Sequence, residues 1–138
     1  MKLIMVRHTS VDVTPGTCYG QSDVGLRESF PVEAAAVASR IARYAPDRVY
    51  TSPLSRCVRL AEHCGYSDAL RDARLMEINF GEWEMKRFDE ITDPRINEWY
   101  DDFFNVRATG GESFADQQAR VADFLDDLRE SGCRCVIV

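Results

Sequence analysis

Three short stretches of this 138-residue sequence place side chains where they could do chemistry on an anion. Arg7-His8 closes an apolar N-terminal run. Thr51-Ser52-Pro53 ends a second apolar run, with Arg56 just beyond it, and Glu77 stands after a third. An imidazole can act as a nucleophile, a guanidinium is a planar fork for oxyanions, and a carboxyl group can give and take a proton. Ser52-Pro53 reads as the N-cap and first turn of a helix, whose N-terminus favours a phosphate. Together these residues describe an anion site with a nucleophile and an acid. Taken singly they have plainer readings: a histidine at a strand end is more often structural, and a lone arginine on a helix is solvated.

The elements needed to position these residues are legible around them. Lys2–Arg7 is an aliphatic, β-branched run that predicts a buried strand. Residues 9–28 hold the turn signals Thr14-Pro15-Gly16 and Gly20-Gln21-Ser22-Asp23, which predict a loop. Pro31 and the Ala-rich stretch 34–42 predict a helix ending before Pro46. Arg48–Thr51 is a second strand, Ser52 opens a helix to about Cys64, and Arg74–Ile78 is a third strand. Residues 80–112 are irregular, aromatic and acidic, which predicts short helices in an inserted excursion or lid. Ser113-Phe114-Ala115-Asp116 has the form of a capping box with Asp in place of Glu. Phe114, Val121, Leu125 and Leu128 then recur at helical spacing, Gly132 ends that helix, and Cys133–Val138 is a final strand. Such alternation predicts one α/β domain over 1–138, a three-layer helix–sheet–helix sandwich with a mostly parallel central sheet. Ligands of such sheets bind outside the carboxyl ends of the strands, which is where all three stretches fall.

Composition narrows the function classes. The formal net charge is −6, which argues against a nucleic-acid binder driven by phosphate neutralisation. All the basic residues except Lys2 and Lys86 are arginine. No apolar run approaches the roughly 18 residues of a membrane span, and the first apolar burst is cut short by Arg7-His8 without a signal-peptide cleavage site. The five cysteines form no Cys-x-x-Cys pair and only two histidines are present, so a zinc site is not expected. Reduced thiols in a cytoplasmic protein are the expectation.

Three of these segments also carry a resemblance. Ile4-Met5-Val6-Arg7-His8-Thr9, Thr51-Ser52-Pro53-Leu54-Ser55-Arg56 and Leu75-Met76-Glu77-Ile78-Asn79-Phe80-Gly81-Glu82-Trp83-Glu84, with Gly110-Gly111-Glu112-Ser113 before the last helix, resemble the histidine phosphatase (phosphoglycerate mutase-like) superfamily, in order and over essentially the whole chain. Within it, Arg7-His8-Thr9 with Tyr19-Gly20-Gln21-Ser22-Asp23 looks most like the α-ribazole phosphatase branch of cobalamin biosynthesis. The resemblance implies a phosphomonoesterase for a small phosphorylated metabolite, most simply α-ribazole 5′-phosphate, with no cofactor or metal. His8 would be the nucleophile, forming a phosphohistidine. Glu77 would be the general acid and base, at a carboxyl pKa raised beside Phe80 and Trp83. Arg7 and Arg56 would hold the phosphate, with the Gly20-Gln21 backbone as a weaker candidate for lining it. Glu82 and Glu84 compete with Glu77 for the acid role but are expected on the surface.

The alternatives within the enzyme class are a phosphoglycerate mutase-like enzyme or a broad-specificity phosphatase. From another class comes a non-catalytic phosphate-binding remnant. Two departures from the family pattern bear on these. Thr9 stands where the family has Gly. The family also carries a second catalytic histidine, in a His-Gly motif following the strand that matches Cys133–Val138, so the expectation is that this motif lies beyond Val138. His63 lies seven residues past Arg56 on one helix, roughly 10 Å along its axis, and does not substitute. Trp83, Trp99, Tyr100, Phe103 and Phe104 are expected to anchor the excursion, with stacking on an aromatic leaving group the lesser reading. Arg59 is expected to be solvated, and Cys57 and Cys64 to be packed thiols. Homo-oligomerisation is left open.

Overall fold

The computed structural model describes residues 1–138. Its centre is a four-stranded parallel sheet in the order β1-β4-β2-β3, with β1 Lys2–Ile4, β2 Arg48–Thr51, β3 Leu70–Arg71 and β4 Cys135–Ile137. The last strand lies between the first two, Lys2 pairing Cys135 and Arg48 pairing Val136. The β1–β4 ladder runs on past the strand ends, Val138 N–H donating to the Ile4 carbonyl at 2.9 Å and Val6 N–H to the Val138 carbonyl at 2.8 Å. Arg7-His8 therefore leaves the sheet at its carboxyl end, as the sequence predicts.

Successive residues of a strand face opposite sides, and the two faces are covered differently. Helix α4, Phe114–Glu130, lays Phe124 and Leu128 on one face against Val136, Leu3 and Tyr50, with the Tyr50 and Phe124 rings edge to face at 5.2 Å. Its start is the capping box read from the sequence: Ser113 Oγ accepts from Asp116 N–H while Asp116 accepts from Ser113 N–H. Phe114 departs from the expected apolar stripe. It is exposed and meets Phe103 and Phe104 of the excursion instead. On the opposite face, α1, Phe30–Ile41, and α2, Ser55–His63, turn Ile41 and Leu60 towards Val49 and Ile137.

Two local expectations are corrected. Helix α2 begins at Ser55, not Ser52, and its N-terminus is capped from a distance: Asp23 accepts from Ser55 N–H at 2.9 Å and from Ser55 Oγ at 2.6 Å. The third strand is Leu70–Arg71 rather than Arg74–Ile78. Asp72 accepts from Arg74 N–H and turns the chain into a 3-10 helix over Ala73–Leu75, after which residues 76–79, in neither helix nor strand, lead into the excursion. The excursion has the predicted short helices, 3-10 turns over Gly81–Trp83 and Phe88–Glu90 and α3 over Arg95–Asp101. It also has a core of its own, Cys18, Trp83, Ile91, Ile96 and Ala108, with Phe80, Phe88 and Trp99 packed against it. Gly81, at φ +53°, lies so close to the chain after it that an added Cβ would fall 2.3 Å from the Thr109 carbonyl oxygen.

Candidate functional site

The His8 side chain is fixed by the chain that follows it. Its Nδ1 lies 2.7 Å from the Thr9 carbonyl oxygen. A carbonyl only accepts, so Nδ1 carries the hydrogen and Nε2 is left with a free lone pair. Burial pushes this imidazole below its ordinary value of 6.5. The positive charges of Arg56 and Arg7 act in the same direction, against the Thr9 hydrogen bond and Glu77. The result is a neutral ring with an available Nε2 near two guanidiniums, the state a nucleophile needs.

The two arginines are held very differently. Arg7 is exposed and faces the opening. Arg56 is 1% exposed. Its Nη2 donates to the Gly20 carbonyl at 2.6 Å and its Nη1 to the Ser22 carbonyl at 2.9 Å, and the Tyr19 ring lies 5.2 Å from the guanidinium carbon. Its Nε, buried, has no partner. Of the two residues expected to line the phosphate, Gly20 contacts Arg56 through its carbonyl, whereas Gln21 does not touch Arg56 and donates its side-chain amide to the Glu77 carbonyl. The Gly20 carbonyl orients the guanidinium, and the Gln21 N–H is spent on Glu84 at 2.8 Å. The α2 N-terminus is likewise in use, its Ser55 N–H taken by Asp23.

Glu77 follows the 3-10 turn rather than a strand end, and its segment is tied down from three sides. Gln21 Nε2 and Arg120 Nη2 both donate to its carbonyl, at 3.1 and 3.0 Å. Its carboxylate accepts from Ile78 N–H at 2.8 Å and from Gln117 Nε2 at 3.0 Å. Phe80 and Trp83 do not shield it. Trp83 is buried in the excursion core with its indole N–H on Asp93, Phe80 packs on Phe88 and Trp99, and Glu77 is exposed. A cavity of about 470 Å³ runs along the sheet face beside Val49 and Ile137, between Ile41, Leu60 and Cys64 on one side and Leu75 and Val121 on the other, and is lined by Arg7, His8, Ser52, Glu77 and Gln117 at its polar end. The remainder of its wall is mostly apolar, with Cys57 and Cys64 in it. Burial raises both thiols above their ordinary value.

A family model described as "Histidine phosphatase superfamily (branch 1)" matches residues 3–138. The chain belongs to that superfamily. Among its relatives, phosphoserine phosphatase 1 of Hydrogenobacter thermophilus is 29% identical over 137 residues, 94% of this chain and 65% of the relative. An Escherichia coli protein named "Probable phosphoglycerate mutase" is 32% identical over 129 residues, 86% of this chain and 59% of the relative. The chain thus spans less than two thirds of the length of these curated relatives. The solved α-ribazole phosphatase of Shigella flexneri superposes with a TM-score of 0.85 over 99% of this chain and 72% of that one; at 23% identity the likeness is one of fold.

This superfamily member keeps Arg7, His8, Arg56 and Glu77 at one end of its sheet, and it uses other residues that sequence reasoning missed. Glu84, expected on the surface, is half-buried and takes N–H groups from Gln21, Ser22 and Phe80. Arg120 of α4 donates to the carbonyls of Arg74, Met76 and Glu77 and pairs with Glu112 at 2.9 Å. Glu112 in turn accepts from Asn79 N–H, which accounts for the Gly110-Gly111-Glu112-Ser113 stretch. Glu84 and Glu112 lie inside stretches that carry the resemblance, which was the one signal for them; Arg120, within α4, had none. As expected, Glu82 and Arg59 are exposed. The aromatic residues pack among themselves, and Trp83, Trp99, Tyr100, Phe103 and Phe104 are all absent from the cavity wall.

Proposed function

We propose that this chain carries the phosphate-binding and nucleophilic residues of a phosphomonoesterase that works through a phosphohistidine at His8. The observation that carries the reading is the His8 ring itself, held by the Thr9 carbonyl in the tautomer that frees Nε2 and kept neutral by burial beside Arg56 and Arg7. Nε2 attacks phosphorus, the ester P–O bond breaks, and Glu77 gives its proton to the departing oxygen. Glu77 then takes a proton from water as that water attacks phosphorus, releasing inorganic phosphate and restoring His8. The guanidiniums of Arg56 and Arg7 offset the charge on the equatorial oxygens.

The substrate class is a small phosphorylated metabolite, and our first choice within it is α-ribazole 5′-phosphate. Supporting it are the Arg7-His8-Thr9 and Tyr19–Asp23 stretches and the fold shared with the Shigella flexneri protein. Relatives named for phosphoserine and phosphoglycerate, at 29% and 32% identity, favour a second reading, a phosphatase of broader range or a mutase. The test is phosphate release from α-ribazole 5′-phosphate, phosphoserine and 3-phosphoglycerate by wild type and His8→Ala. Release that His8→Ala lowers by at least about a thousandfold supports the phosphohistidine route, and the preferred ester names the substrate. Release left intact by His8→Ala overturns it, and phosphate binding without turnover by wild type makes the domain a binding module.

A further inference from the structure

We propose that Glu84 is a positioning residue for Arg56, acting through the backbone of residues 20–22 rather than by touching substrate. The inference rests on the reading of Arg56 as a phosphate ligand.

The carboxylate of Glu84 gathers four donors. Oε1 accepts from Gln21 N–H at 2.8 Å and Phe80 N–H at 3.1 Å, and Oε2 accepts from Ser22 Oγ at 2.7 Å and Ser22 N–H at 3.3 Å. Carbonyls of the same loop point the other way: those of Gly20 and Ser22 accept the two terminal nitrogens of Arg56. The loop is therefore a two-sided strip, its amides on Glu84 and its carbonyls on Arg56. Moving the carboxylate moves the carbonyls that set the plane of the guanidinium.

Two further observations show that this arrangement is built rather than incidental. Gly20 sits so tightly between the excursion and the loop that an added Cβ would fall 2.0 Å from the Ile78 carbonyl oxygen and 2.7 Å from Glu84 Oε1. Met85, directly after Glu84, has φ +63°, a left-handed conformation that non-glycine residues adopt at a cost. Its N–H is held by the Cys18 carbonyl at 2.6 Å. The turn that aims Glu84 is thus strained and pinned. Arg56, once aimed, keeps a buried Nε–H without a protein partner.

A carboxylate that merely stapled the excursion to the loop would alter stability and leave anion affinity unchanged. The distinguishing experiment is calorimetric titration of the full chain with inorganic phosphate for wild type, Arg56→Ala, Glu84→Gln and the double variant. Glu84→Gln keeps the shape and one acceptor oxygen, so it tests the contact without emptying the site. Arg56→Ala is expected to weaken phosphate binding by about tenfold or more, and Glu84→Gln by about tenfold. The double variant is expected to bind no more weakly than Arg56→Ala alone, because both changes remove one aligned guanidinium. Losses that multiply in the double variant overturn the inference, as does wild-type affinity in Glu84→Gln. If Arg56→Ala itself binds like wild type, or wild type binds no phosphate, the reading of the site falls, and this inference falls with it.

Discussion

At the scale of single residues, the strongest consequence concerns the protonation of His8. Its folded-state value lies below the ordinary 6.5, so as pH falls the unfolded chain takes up the proton first. The contribution of this ring to stability is therefore full above the ordinary imidazole value and lost as pH falls through the folded-state value. Activity should follow the same ring. The acid limb of the kcat/KM profile that belongs to His8 is expected to be centred below 6.5; one centred above 6.5 would contradict a buried, arginine-flanked nucleophile. His8, Arg7 and Arg56 were legible because strand ends in an α/β sheet face one direction, so residues far apart in sequence could be assigned to one site. Glu84 was not legible. Its meaning depends on amides 62 and 63 positions earlier, and nothing local to Phe80–Met85 announces them. The same non-locality misled the reading of Phe80 and Trp83, whose neighbourhood is set by Ile91, Ile96 and Ala108 rather than by Glu77.

At the scale of elements, caps divide the legible from the hidden. The Ser113–Asp116 box was readable because both partners lie within one turn. The start of α2 was not, because its cap is Asp23, 32 positions away. The third strand failed for a related reason: Asp72 captures Arg74 N–H and bends a stretch whose residue types suit a strand. The element that holds the Glu77 segment in place is α4, through Arg120, whose side chain is 17% exposed and whose partner Glu112 is 22% exposed. Arg120→Met removes the hydrogen bonds that three carbonyls and a carboxylate receive from this arginine, leaving those of Arg74 and Met76 without a side-chain donor. It is expected to lower the unfolding free energy by about 3 kcal/mol, measured by urea titration, and to lower phosphate release as Glu77 loosens. A loss under about 0.5 kcal/mol would show that water replaces the arginine without cost.

At the scale of the molecule, the chain has two separate apolar cores, one between α4 and the sheet and one inside the excursion. Both tryptophans, Trp83 and Trp99, belong to the second, whereas most of the helical backbone lies in α1, α2 and α4, on the two faces of the sheet. Fluorescence and far-ultraviolet circular dichroism therefore observe different halves. Ile96→Ala, which removes about 2–5 kcal/mol of buried contact, is expected to lower the urea midpoint seen by fluorescence more than that seen by dichroism. Identical shifts by both probes would make the excursion and the sheet a single cooperative unit.

The position of β4 between β1 and β2 has a consequence for how the protein is made. Lys2 must wait for Cys135 and Arg48 for Val136, so while the ribosome synthesises the first hundred or so residues β1 has no neighbour to pair with and β2 can pair only with β3, at its other edge. Helices, excursion and the β2–β3 pair can take shape as they leave the exit tunnel, but β1 joins them only when β4 emerges. Until then the aliphatic edges of β1 and β2 are exposed in the nascent chain, where a holding chaperone would find them.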